Sequence, residues 1–61
     1  MGWYTVDELV GEYREVENGW KSHELTLPQV VGRLSVISTR AKTSGVYDEM
    51  MARLRKEDGR E

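Results

Sequence analysis

The sequence predicts an all-α fold: a small domain of two longer amphipathic helices and a shorter C-terminal helix, associating as a homodimer. Three observations carry this. Two Ser/Thr-x-x-Glu/Gln capping boxes open the first two segments, apolar residues recur at helical spacing in all three, and glycines stand where two of them should stop.

In "YTVDEL" Thr5 is the N-cap and Glu8 the third helical residue, the spacing at which each side chain satisfies the other's free backbone N–H; Tyr4 and Leu9 take the flanking staple positions. Val6, Leu9, Val10, Tyr13, Val16 and Trp20 follow on an arc of roughly 120° at 100° per residue, the signature of one buried face. Asn18-Gly19 is the expected stop, because Gly tolerates the left-handed conformation that closes a helix. "KSHE" is then a short polar connection, which favours an antiparallel helix pair, and His23 within it reads as a solvated loop residue.

The second segment repeats the device. Thr26 caps, Gln29 completes the box, Leu25 and Val30 make the staple, and Pro28 lies in the first turn where its missing N–H does little harm. Leu27, Val30, Val31, Leu34, Ile37 and Ala41 form the stripe, while Gly32, Val36 and Thr39 on the other side invite close approach of another helix. This predicts a central helix touched on two sides. The third segment carries Val46, Tyr47, Met50, Met51 and Leu54, with the two methionines as core filler, and residues 57–61 read as a frayed charged tail.

Were residues 27–56 one helix, the stripes of the second and third segments would fall on roughly opposite sides at 100° per residue. One buried face cannot use both. Ser44-Gly45 is therefore the expected break, with Ser44 or Thr43 available to cap the third helix; the exception is an uninterrupted helix in an intertwined dimer.

Sixty-one residues make one domain, residues 1–61, with a marginal core. The chain has no Cys to form a disulfide and a single His, which excludes the usual zinc sites, so self-association is the expected staple. No cofactor or metal is expected. No apolar run spans a bilayer, and the N-terminus lacks a signal peptide's basic and apolar regions, so a cytoplasmic protein without membrane contact is expected. Met1-Gly2 begins like a myristoylation signal, but Val6 stands where that pattern wants Ser or Thr. Catalysis is not expected either: there is no phosphate-cradling glycine loop and no nucleophile with a base at a known spacing.

Net charge is only −2, yet it is sorted: residues 1–25 hold six acids against two bases, and residues 26–56 hold six bases against two acids. Two classes of partner follow. Glu12, Glu15 and Glu17 approach the C-terminal end of the first helix, where negative charge is unfavourable, and Glu17 projects within the apolar arc. Such an acidic ridge either receives a basic protein or pairs with Arg53 and Arg55 of the same dimer. Trp3, ahead of the first cap, is the best exposed anchor, whereas Trp20, in phase with the stripe, reads as core or dimer contact. The first functional expectation is thus a non-enzymatic protein that regulates or inhibits another macromolecule through Trp3, Glu12, Glu15 and Glu17.

The alternative is a small helix-turn-helix-like DNA-binding regulator of transcription or recombination using Arg40, Lys42, Arg53, Arg55 and Lys56. Ala41, Gly45, Val46, Met51 and Leu54 suit that motif's turn and core, but Arg40 and Ser44 stand where it buries apolar groups, and Asp48 and Glu49 would face phosphate. Those acids are ordinary first-turn residues of any helix. A structural assembly subunit is the third reading.

Overall fold

The computed structural model describes residues 3–59 and contains three helices: α1 (Val6–Lys21), α2 (Leu27–Thr43) and α3 (Tyr47–Glu57). Both capping boxes form. The N–H of Glu8 donates to Thr5 Oγ1 and that of Thr5 to Glu8 Oε1, each at 3.2 Å. The N–H of Thr26 donates to Gln29 Oε1 at 2.9 Å and that of Gln29 to Thr26 Oγ1 at 3.4 Å.

α1 closes four residues later than Asn18-Gly19 suggested. Its C-cap is Ser22, and the next residue, His23, takes the left-handed conformation at φ 64°. The N–H of His23 donates to Trp20 O at 3.2 Å and that of Glu24 to Gly19 O at 2.9 Å, which is the Schellman closure. Gly19 is buried inside the helix and serves a different purpose, since a Cβ there would lie 2.6 Å from Leu25 Cδ1. The glycine was legible in the sequence, but it serves close packing rather than chain reversal. Left-handed backbone is strained for a residue with a Cβ, so His23→Gly is expected to raise stability by about 0.5–1 kcal/mol. For a domain of this size that is a gain of several degrees, about 2–8 °C, in thermal melting; an unchanged or lower Tm would show that the imidazole makes a compensating contact.

The α2–α3 break falls at Ser44-Gly45 as the stripe phases require, with Gly45 at φ 73° and the N–H of Val46 donating to Ala41 O at 2.9 Å. Capping differs from expectation. The N-cap of α3 is Val46, which makes no side-chain cap bond, and Ser44 Oγ instead accepts the N–H of Tyr4 at 2.9 Å. A hydroxyl expected to serve the next helix thus fastens the N-terminal segment to the corner.

α1 and α2 run antiparallel, with Arg40 beside Glu12 and Leu25 against Gly19. α3 crosses them in the sense of α1, placing Arg53 near Asp7 and Glu57 near Arg14. Leu9, Val10, Val16, Ile37, Ala41, Met50 and Leu54 form the buried core. The Cα atoms occupy 31 × 30 × 13 Å, a slab rather than a sphere. Its accessible surface is 4610 Å², above the roughly 4,100 Å² that monomers of 7.1 kDa expose. The Gly32, Val36 and Thr39 side of α2, expected to be covered, is exposed within the single chain. Met1, Gly2, Arg60 and Glu61 lie outside the described residues, and with them the lipidation pattern and the end of the charged tail.

Candidate protein-docking surface

α3 has 11 residues against 16 and 17 in α1 and α2, a deficit of about 8–9 Å at 1.5 Å per residue. Its covering therefore stops part-way along the α1–α2 pair. Where α3 lies, the stripes are buried, as at Leu9, Ile37 and Ala41. Beyond its end the same stripes emerge: Trp20 is 48% exposed, and Leu27 and Val31 are each 59% exposed. Between the two helices here runs a groove of about 210 Å³, floored by Val16, Val30 and Leu34 and flanked by Tyr13, Glu17 and Trp20. Leu27 and Val31, one turn apart on α2 and close in sequence to Val30, are exposed apolar side chains outside its lining. The sequence stripe marked these residues for burial, Trp20 as core or dimer contact; within the single chain the length of α3 leaves them open.

The anticipated contact residues are dispersed. Trp3 is 60% exposed at the N-terminal end, Glu15 is exposed on the back of α1, and Glu12 and Glu17 lie on opposite flanks of that helix. Arg40 Nη1 donates to both Glu12 carboxylate oxygens at 3.1 Å, and Arg14 Nη1 donates to Glu17 Oε1 at 2.9 Å. Arg14 thereby resolves the anomaly of Glu17 in the apolar arc. It also reaches Glu57 and Asp58, each at 3.1 Å, tying the first two residues of the expected tail to α1.

Arg53 bridges Asp7 and Glu57, so it is engaged inside its own chain rather than with Glu12, Glu15 or Glu17 of a neighbour. Arg14 and then Arg53 hold the Glu57 carboxyl below the usual carboxylate range; Glu17 first, then Glu57, hold the Arg14 guanidinium above its ordinary value. Glu57 is exposed and Arg14 and Glu17 are half-buried, and solvent screening limits such pairs to orienting α3 more than stabilising it.

Of the basic set, Arg40 also stacks 4.9 Å above the Tyr4 ring, and Lys42 lies 5.3 Å from the ring centre of Tyr47. Arg55 and Lys56 are exposed and make no ion pair among the described residues. The cations expected to meet phosphate are therefore largely turned to internal partners. Among the described residues no three potential ligands gather as a metal site, and no helix is long and apolar enough to cross a membrane. Comparison with protein-family models, curated proteins and solved structures finds no match for the chain.

Proposed function

We propose that this is a non-enzymatic, cytoplasmic binding protein that self-associates and regulates or inhibits another macromolecule by docking a helical surface onto it. The observation that carries this reading is the open apolar groove lined by Val16, Trp20, Val30 and Leu34 past the end of α3, with Leu27 and Val31 exposed near it on α2. Its fitting occupant is the apolar face of a partner's amphipathic helix, which takes the position a longer α3 would have filled. Trp20 is the anchor, since an aromatic at the edge of a concave apolar site dominates such interfaces. Trp3, at the other end of α1, and Glu15, on its back, lie away from this groove, while Glu12 and Glu17 are held by Arg40 and Arg14.

Affinity capture from the native host with the wild-type chain identifies the partner, and Val31→Asp tests the groove. Val31 is already more than half exposed, so the variant is expected to melt within about 4 °C of wild type, as surface substitutions do. It should nevertheless lose the captured protein. Retention of the same partner by Val31→Asp, at unchanged affinity, rules the groove out. The DNA reading is the weaker one because Arg40 and Arg53 are already paired with carboxylates; duplex binding in a low-salt gel shift, lost on Lys56→Ala, would reinstate it.

A further inference from the structure

The slab has a second broad face, turned away from α3. There α1 projects Glu8, Glu12 and Glu15, and α2 projects Gln29, Arg33, Val36 and Arg40, each set within about 60° at 100° per residue. Between the two rows lies a groove of about 450 Å³ lined by Glu12, Gly32, Arg33, Val36 and Arg40 among others. Val36 is 47% exposed at its edge, and a Cβ added at Gly32 would meet nothing within 4 Å. Another backbone can approach closely here. The face is thus an acidic ridge beside a basic one, with an apolar strip on the basic side.

A surface carrying both halves of a complementary pair is matched by itself. Two copies stacked face to face can be related by a twofold axis across the helices or along them. An axis across the helices lays α1 on α1, setting acids on acids and arginines on arginines. An axis along the helices lays each α1 over the other copy's α2 and matches both ridges, twice over. The Glu12–Arg40 pair fixes the levels of α1 and α2 within a chain, and an axis along the helices preserves those levels. The partner's Glu15 then falls about 6 Å along the axis from Arg33, within side-chain reach of it, while Arg40 stays with Glu12 of its own chain.

We infer that this face binds a second copy of the chain about a twofold axis parallel to α1 and α2, with the partner's Glu15 paired with Arg33. The inference rests on the self-association part of the proposed function and is independent of the Trp20 groove. Sedimentation equilibrium on the full chain tests it. Arg33→Glu and Glu15→Arg alter exposed residues with no ion pair among the described residues, so both variants should fold, as circular dichroism will check. Each is expected to weaken the dimer at least about tenfold through like-charge contacts made twice, and the double exchange should recover most of that loss.

Gly32→Gln supplies a steric arm with opposite signs: better helix propensity should raise the melting temperature of the dilute monomer while the added side chain weakens the dimer. A wild-type chain that stays monomeric at about 1 mM overturns both this interface and self-association, leaving the groove reading intact. A dimer indifferent to both single reversals and to Gly32→Gln overturns the interface alone. If the single reversals weaken the dimer but their combination fails to restore it, the Glu15–Arg33 contact is overturned.

Discussion

Leu9→Ala is expected to leave much of the protein unfolded near body temperature. Leu9 is wholly buried, and removing a fully buried leucine side chain costs about 3–5 kcal/mol, comprising the lost transfer energy and the cavity left behind. Typical stability of about 0.05–0.15 kcal/mol per residue puts a chain this short at only about 3–9 kcal/mol in total. One truncation therefore consumes much or all of it. The residue also stands one turn beyond the Thr5 cap, with its N–H donating to Thr5 O at 3.1 Å, so loss of the core contact loosens the start of α1 as well. Thermal melting followed by circular dichroism should show Tm lowered by more than about 10 °C. A drop under about 4 °C would place Leu9 outside the core.

Gly19→Val is the second large effect, and it separates packing from helix propensity. Replacing a mid-helix glycine normally gains up to about 1 kcal/mol. At Gly19 the new Cβ meets Leu25 at 2.6 Å from Cδ1 and 2.8 Å from Cγ, so the side chain that closes the α1–α2 connection must move. Overpacking of this kind costs about 1–3 kcal/mol, and a β-branched residue in a helix adds to it. Tm is expected to fall by about 5–15 °C. Gly11→Ala is the control: nothing lies within 4 Å of its added Cβ, so propensity alone acts and Tm should rise. If both substitutions move Tm upward, the Leu25 contact does not constrain the connection.

The contrast between these glycines bears on what the sequence could disclose. Capping boxes at Thr5 and Thr26, the stripes, and the change of buried face at Gly45 are local patterns with fixed spacing, and each has its counterpart in the structure. Gly19 is ambiguous in sequence because one residue type serves two needs, positive φ and absence of a Cβ; only the return of Leu25 decides between them. Ser44 was similarly ambiguous. Its hydroxyl can cap a following helix or accept a distant N–H, and the position of Tyr4, forty residues away in sequence, selects the second. The exposure of Trp20, Leu27 and Val31 was hidden for another reason: a stripe marks which face is apolar, while the length of the covering helix determines how far that face is covered. Among the ion pairs, Arg14–Glu17 is legible from its spacing of three, whereas Arg40–Glu12 depends on the antiparallel alignment of two helices.

The slab shape has one more consequence. A body only 13 Å thick between its outermost Cα atoms has two broad faces and little interior between them. Closing one face with a second copy leaves the Trp20 grooves on the two outer sides, pointing away from each other. On the proposed pairing and the proposed groove, the dimer would be bivalent: it would join two separate target molecules, or grip one target that displays the docking helix twice. In the second case the first contact holds the second site at high effective concentration, so modest affinity per groove becomes strong retention. Dissociating the pair would then release the target without altering either groove.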